Sequence, residues 1–279
     1  MIAYDFIYVQ PDTLRQAREN FLRLSESGQN PVYYAGGSEI ITMCRAGDIR
    51  PGAVIDIKNI DACQALSLDE DWLRLGAACT LNRIKESGLF PLLGLVCGRI
   101  ADHTNQCRIT LGGNLCGSII YRETSLPLLL ADAKLILYGA RGRRALALKS
   151  VFDGRMRLQP DELIVEAQVP LWALNAPYYH MKKTANEKID YPLLSVAALL
   201  YEDQLRVACS GLADRPLRSK QVEVALNRRA LSPGTVAAKA TALLAGQARD
   251  SVEGSAAYRL FVLENTLRSL VEDWHDEKI

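Results

Sequence analysis

Between Asp12 and Gly28, apolar residues fall on one helical face (Leu14, Ala17, Phe21 and Leu24), and Gly28 supplies a stop. Short apolar runs at Val32–Tyr34, Ala53–Ile57 and Leu73–Ala77 predict strands. Thr80 is a natural N-cap for a helix ending near Gly88, and the pattern from Phe90 to Asp102 predicts a further helix. Leu126–Ala131 reads as helical, followed by a strand at Ala133–Tyr138, a hairpin around Gly139–Arg143, a strand at Ala145–Leu148 and another from Glu162 to Val169, stopped by Pro170. The composition changes near Leu171–Pro177. Beyond it, Tyr178–Thr184, Leu194–Tyr201 and Leu205–Gly211 read as an antiparallel meander, and three helices close the chain at about 217–227, 233–245 and 255–274. The last is the clearest, with Leu260, Leu263, Leu267, Leu270, Val271 and Trp274 on one side. The expected class is α+β in two units: residues 1–172, and residues 177–279, an antiparallel sheet backed by three helices.

Composition narrows the function more than the fold. The formal net charge is +1, with 49% apolar and 23% charged residues, so neither nucleic acid nor an anionic membrane is an expected partner. No apolar run is long enough to span a bilayer, and no basic stretch followed by an apolar core opens the chain, so a cytoplasmic location is expected. The 7 cysteines are scattered without a C-x-x-C pair and the 3 histidines are isolated, so no metal site is expected. No nucleophile–base constellation stands out, and no residue is assigned a catalytic role.

The candidate chemistry lies in two glycine pairs, Gly36-Gly37 and Gly112-Gly113, each followed by short polar side chains. Neither belongs to a G-x-G-x-x-G dinucleotide turn or a G-K-[ST] phosphate loop. Glycines without Cβ atoms let consecutive backbone N–H groups approach one anion closely, although either pair alone could be a tight turn.

Tyr34-Ala35-Gly36-Gly37-Ser38-Glu39 and Thr110-Leu111-Gly112-Gly113-Asn114 resemble the paired glycine signatures of the FAD-binding subunits of molybdenum hydroxylases, the xanthine dehydrogenase and carbon monoxide dehydrogenase family. The similarity extends through Val54–Ile57, Leu73–Ala77, Asp161–Ile164, Ser195–Ala198 and Gly254–Arg259, nearly the whole chain. The resemblance implies that residues 1–172 form a two-lobed FAD-binding domain of the vanillyl-alcohol-oxidase type, with lobes of about 1–56 and 57–172, and that residues 177–279 form a C-terminal domain like that of the carbon monoxide dehydrogenase flavoprotein. It also implies that Ala35, Gly36, Gly37, Ser38 and Glu39, with Thr110, Gly112, Gly113 and Asn114, wrap the FAD pyrophosphate. Glu123 takes the place of a cofactor-binding aspartate, Ile164 packs on the flavin ring or in the core, and Lys182 approaches the ring's pyrimidine edge. Tyr191 is either an aromatic neighbour of the ring or a packed turn residue. Ser118-Ile119-Ile120-Tyr121-Arg122-Glu123 departs from the family, being bulkier than its usual small-residue run.

The implied function is electron transfer. A molybdopterin-binding large subunit would oxidise the substrate, a [2Fe-2S] small subunit would relay the electrons, and FAD on this chain would pass them to NAD or another acceptor. FAD is the only cofactor expected here. Two alternatives stay open: a free-standing FAD-dependent oxidoreductase, and a flavin-free scaffold subunit.

Overall fold

The computed structural model describes residues 2–185 and 189–276. The chain opens with β1 (Ile7–Val9), α1 (Leu14–Glu26), β2 (Pro31–Tyr34), α2 (Ser38–Ala46) and β3 (Ala53–Asp56). The three strands form a parallel sheet with β3 in the middle, ordered β1-β3-β2. A capping box starts α1: Gln16 N donates to Thr13 Oγ1 at 3.2 Å, and Thr13 N donates to Gln16 Oε1 at 3.2 Å. Its buried face, Leu14, Ala17 and Leu24, packs on Ala53 and Ile55.

The second layer contains β4 (Leu66–Leu68), β5 (Trp72–Gly76), α3 (Leu81–Ser87), α4 (Pro91–Cys97), α5 (His103–Gln106), α6 (Leu111–Cys116) and α7 (Ser125–Leu130). It continues with β6 (Lys134–Gly139), β7 (Gly142–Ala147), α8 (Leu148–Val151) and β8 (Leu163–Pro170). These strands make an antiparallel sheet ordered β4-β5-β8-β6-β7. Helices α3, α4, α6 and α7 cover one face of it through Leu81, Leu92, Leu115 and Leu128, all fully buried.

The C-terminal layer is β9 (Tyr178–Thr184), β10 (Pro192–Tyr201), β11 (Gln204–Ser210) and β12 (Leu217–Arg218), then α9 (Lys220–Leu226), α10 (Pro233–Ala242) and α11 (Ala256–His275). The strands form one antiparallel sheet, β12-β11-β10-β9. Strand β10 is apolar on both faces, and its surroundings show why. Leu194, Val196 and Ala198 face the three helices, whereas Ala197 and Leu199 join the core beneath α7. A strand covered on both sides loses the polar alternation of a half-exposed one.

The α+β class and the sheet backed by three helices match the sequence expectation, with local corrections. Strands β1 and β4 were not anticipated; each has three residues and exposed positions, too short for a period of two to register. The helix expected over 90–102 stops at Cys97, where Gly98 and a turn follow. The helix expected from 217 begins at Lys220, because Ser219 caps it and Leu217–Arg218 pair with β11. The second glycine stretch is not a loop but the helix α6, started by the Thr110 hydroxyl, which accepts from Gly113 N at 3.3 Å.

Candidate functional site

The first glycine stretch turns β2 into α2. Gly37 is the N-cap of α2 with φ 72°, a left-handed conformation in which a Cβ would run into the Tyr34 ring. No side chain caps this helix. Among the described residues, the backbone N–H groups of Gly36, Gly37, Ser38, Glu39 and Ile40 have no protein acceptor, and Ser38 Oγ is buried without a partner. An uncapped helix start of this kind presents several aligned donors to an anion. The turn is fixed from behind. Lys58 Nζ donates to the Ala35 carbonyl at 3.0 Å and to Asp56 Oδ2 at 2.5 Å, and Tyr8 Oη donates to the same carboxylate oxygen at 2.5 Å.

The second stretch is differently employed. Leu111 N donates to Cys79 O at 2.9 Å and Gly112 N to Ala77 O at 2.8 Å, so the first donors of α6 are spent on the segment after β5. A Cβ on Gly112 would stand 2.8 Å from the Ala77 Cβ, so glycine here permits close backbone packing. Gly36 is similar: a Cβ there would fall on the Arg108 carbonyl oxygen. Asn114 Oδ1 accepts from Thr124 N at 3.3 Å and Thr124 Oγ1 at 2.6 Å, tying α6 to the start of α7. The two stretches therefore differ in their donors: those at the start of α2 are open, whereas those of α6 are engaged within the protein.

Between them lies a cavity of about 970 Å³. All thirteen residues singled out from the sequence line it: Ala35 to Glu39, Thr110, Gly112, Gly113, Asn114, Glu123, Ile164, Lys182 and Tyr191. Ile164 arrives on β8, next to a bulge that leaves Val165 opposite no residue of β6. Lys182 and Lys183 point apart on β9, as strand geometry requires; Lys182 enters the cavity wall and Lys183 is exposed. Tyr191 is 59% exposed and stacks on Tyr121 with ring centroids 5.0 Å apart.

One wall of the cavity is a buried polar cluster. Lys182 Nζ donates to Glu123 Oε2 at 3.3 Å and to Arg99 O at 2.6 Å. Burial pushes the Glu123 carboxyl above the usual range, opposed by Lys182, Ser195 and Arg99, and Oε1 has no partner. Glu123 precedes the N-cap of α7, and its side chain pairs with Lys182. Arg99 Nη1 lies 2.9 Å from His180 Nδ1. Since arginine can only donate, Nδ1 accepts, which leaves the proton on Nε2 to donate to Ser195 Oγ at 3.1 Å. Burial and the charges of Arg99 and Lys182 hold the His180 pKa down at about 3, so the ring is neutral.

Sequence reasoning missed Arg99, His180 and Ser195 as a unit, because no local motif joins positions on α4's end, β9 and β10. It also passed over Arg122, noted only as a departure from a small-residue run.

Comparison with known proteins decides the family. Residues 4–172 match the family described as FAD binding domain in molybdopterin dehydrogenase, and residues 179–274 match the CO dehydrogenase flavoprotein C-terminal domain. The chain belongs to this family. Its cofactor is FAD, and it is an FAD-dependent oxidoreductase subunit of the molybdopterin dehydrogenase type. It is 25% identical over 253 residues to the xanthine dehydrogenase FAD-binding subunit of Escherichia coli O157:H7, covering 86% of this chain and 87% of that protein. It is also 25% identical over 277 residues to the nicotine 6-hydroxylase medium subunit of Paenarthrobacter nicotinovorans, covering 95% of each chain. Among solved structures, a chain of quinoline 2-oxidoreductase from Pseudomonas putida 86 superposes with a TM-score of 0.84 at 21% identity, covering 99% of both chains, which establishes a shared fold.

The cavity suits the cofactor. About 970 Å³ is at the upper end of small-molecule sites, generally about 300–1,000 Å³, as a dinucleotide requires. The open donors at α2 and the unpartnered Ser38 Oγ and Glu123 Oε1 supply polar ends that the protein alone leaves unsatisfied. Among the described residues, no helix is long and apolar enough to cross a membrane.

Proposed function

We propose that this chain is the electron-transfer subunit of a heteromeric molybdenum-containing dehydrogenase located in the cytoplasm. In this assembly a molybdopterin-binding large subunit and a [2Fe-2S] small subunit deliver electrons to FAD, and NAD or another acceptor removes them. The observation that carries the proposal is a large cavity with an uncapped helix start at one end and a Lys182–Glu123 pair in its wall. Relatives whose names mark them as medium or FAD-binding subunits support the heteromeric part.

When bound, FAD supplies the capacity to take up electrons and hand them on. The chain's own residues bind and orient it. The N–H groups of Gly36 to Ile40 and the Ser38 hydroxyl receive the pyrophosphate, with Thr110, Gly112, Gly113 and Asn114 bracing that cradle. Glu123, Ile164, Lys182 and Tyr191 surround the flavin end, where the Lys182 cation favours negative charge at the ring edge. Residues 1–172 form the FAD-binding domain, in lobes of about 1–56 and 57–172, and residues 177–279 form the C-terminal domain, which contributes Lys182 and Tyr191.

The test begins with the visible spectrum of the purified chain and chromatography of the released cofactor, where one FAD per chain is expected. Anaerobic addition of NADH to the flavin-loaded chain then probes the acceptor. Bleaching of the flavin band supports NAD, whereas bleaching by dithionite but not NADH points to another acceptor. Absence of substrate oxidation by the isolated chain, with activity restored by partner subunits, separates this proposal from a free-standing enzyme.

A further inference from the structure

Arg122 lies in the segment just before α7, with φ 32°. It is 3% exposed and lines the cofactor cavity. Its Nη1 donates to the Gly117 carbonyl at 3.2 Å, its guanidinium carbon sits 5.5 Å from the centre of the Phe152 ring, and its Nε has no partner. Among the described residues no carboxylate is within ion-pair distance of it; Glu39 and Asp214 act only from farther off, and the nearby Arg155 repels it. Burial correspondingly depresses its pKa. A buried guanidinium with one neutral acceptor is costly unless a counter-charge completes the site.

The surroundings indicate where that counter-charge goes. Gly117, whose carbonyl Arg122 holds, lies directly against the N-terminal turn of α2; a Cβ on Gly117 would come within 2.5 Å of Glu39 Oε2. The unpaired cation and the uncapped helix start are therefore joined through one residue and line the same cavity. Both attract an anion, and the guanidinium fork matches two phosphate oxygens at once. We propose that Arg122 is an anion-binding residue of the cofactor cavity, pairing with the phosphate oxygens of the FAD pyrophosphate. The assignment rests on the FAD reading for the identity of the anion, but not for its existence.

The test uses the full-length chain freed of flavin, as wild type, Arg122→Gln and Arg122→Lys. FAD and riboflavin binding are followed by quenching of flavin fluorescence, and inorganic pyrophosphate binding by calorimetry. Arg122→Gln should weaken FAD by about tenfold or more while leaving riboflavin unchanged, and should abolish pyrophosphate binding. Arg122→Lys, which keeps the charge without the fork, should fall between and guards against misfolding of the neutral variant. Equal weakening of FAD and riboflavin, or unchanged FAD affinity, would overturn the assignment. If wild type takes up no FAD but binds pyrophosphate only when Arg122 is present, the FAD reading fails and the anion site stands. Pyrophosphate bound equally by wild type and Arg122→Gln removes the anion site whatever the flavin does.

Discussion

Glu39 Oε1 accepts hydrogen bonds from both Ser118 N, at 2.6 Å, and Ser118 Oγ, at 2.5 Å. Glu39 stands in the first turn of α2, and Ser118 follows the glycine that ends α6. One carboxylate thus bridges the two glycine-bearing segments. Glu39 lines the cavity, yet this oxygen is committed to protein. On the proposed reading, its contribution is to fix the spacing of the two segments that border the cavity.

Removing that bridge should loosen the site without unfolding the chain. Glu39→Ala forfeits charge-assisted bonds worth about 1–2 kcal/mol at a partly exposed position, so FAD dissociation should quicken roughly tenfold. Ser118→Ala retains the backbone donor and should have the smaller effect. Stopped-flow release of flavin, with far-UV circular dichroism as the folding control, measures both. Equal off-rates in wild type and Glu39→Ala would remove the bridge from the account.

The glycine pairs make a sharper contrast. Gly36 has no room for a Cβ because the Arg108 carbonyl occupies the space, so Gly36→Ala should cost about 3 kcal/mol or more in urea unfolding of the apoprotein. Gly113 is inside α6, and a Cβ there would meet only the Thr110 hydroxyl, at 2.9 Å. Gly113→Ala should change apoprotein stability by about 1 kcal/mol or less. Loss of FAD from a folded Gly113→Val protein would then report on the cavity itself, and undiminished FAD would remove Gly113 from the site.

How legible these features were depended on how locally they were encoded. Thr13, Thr80 and Ser255 are caps followed by periodic apolar residues, and α1, α3 and α11 form where those signals stand. Helix α6 was hidden because its glycine pair reads as a turn, although Thr110 carried a cap signal. Gly36 and Gly112 were legible as positions and not as mechanisms: their Cβ space is filled by Arg108 and Ala77, neighbours only in the folded chain. The Arg99–His180–Ser195 cluster and the isolation of Arg122 depend on elements far apart in sequence, and no spacing rule reaches them.

His180 makes stability depend on pH in a defined direction. Its folded pKa is about 3, against 6.5 for an ordinary imidazole, so below pH 6.5 the unfolded chain takes up a proton that the native chain refuses. The stabilisation is complete above 6.5 and is lost as pH falls toward 3, at about 1.4 kcal/mol per pH unit. Glu123, shifted upward by burial, acts in the opposite sense, so a single profile mixes the two. His180→Asn keeps an acceptor for Arg99 but cannot titrate, and Glu123 is common to both proteins. The difference between their unfolding free energies, measured from pH 7 to 5, should therefore slope as His180 dictates; parallel profiles would mean that the imidazole charges in the native state.

Asp132 is the electrostatic link between α7 and the C-terminal sheet. It accepts from Arg206 Nη1 at 2.7 Å and Arg218 Nη1 at 2.9 Å, and both arginines also reach carbonyls at the end of α7. Burial alone would raise its pKa, but Arg218, Arg206 and Lys149 more than offset this and lower it. Asp132 has φ 52°, which asparagine also tolerates, so Asp132→Asn isolates the charge. At 37% side-chain exposure the pairs are partly screened, and the loss should be about 1 kcal/mol, smaller in high salt. The two arginines sit on β11 and β12, whereas Lys182 enters the cavity from β9 at the opposite edge of the sheet. Asp132→Asn should therefore lower the urea midpoint while FAD affinity stays within about twofold. A large loss of FAD affinity in this variant would mean that the docking of the sheet on α7, and not only its near edge, sets the position of Lys182.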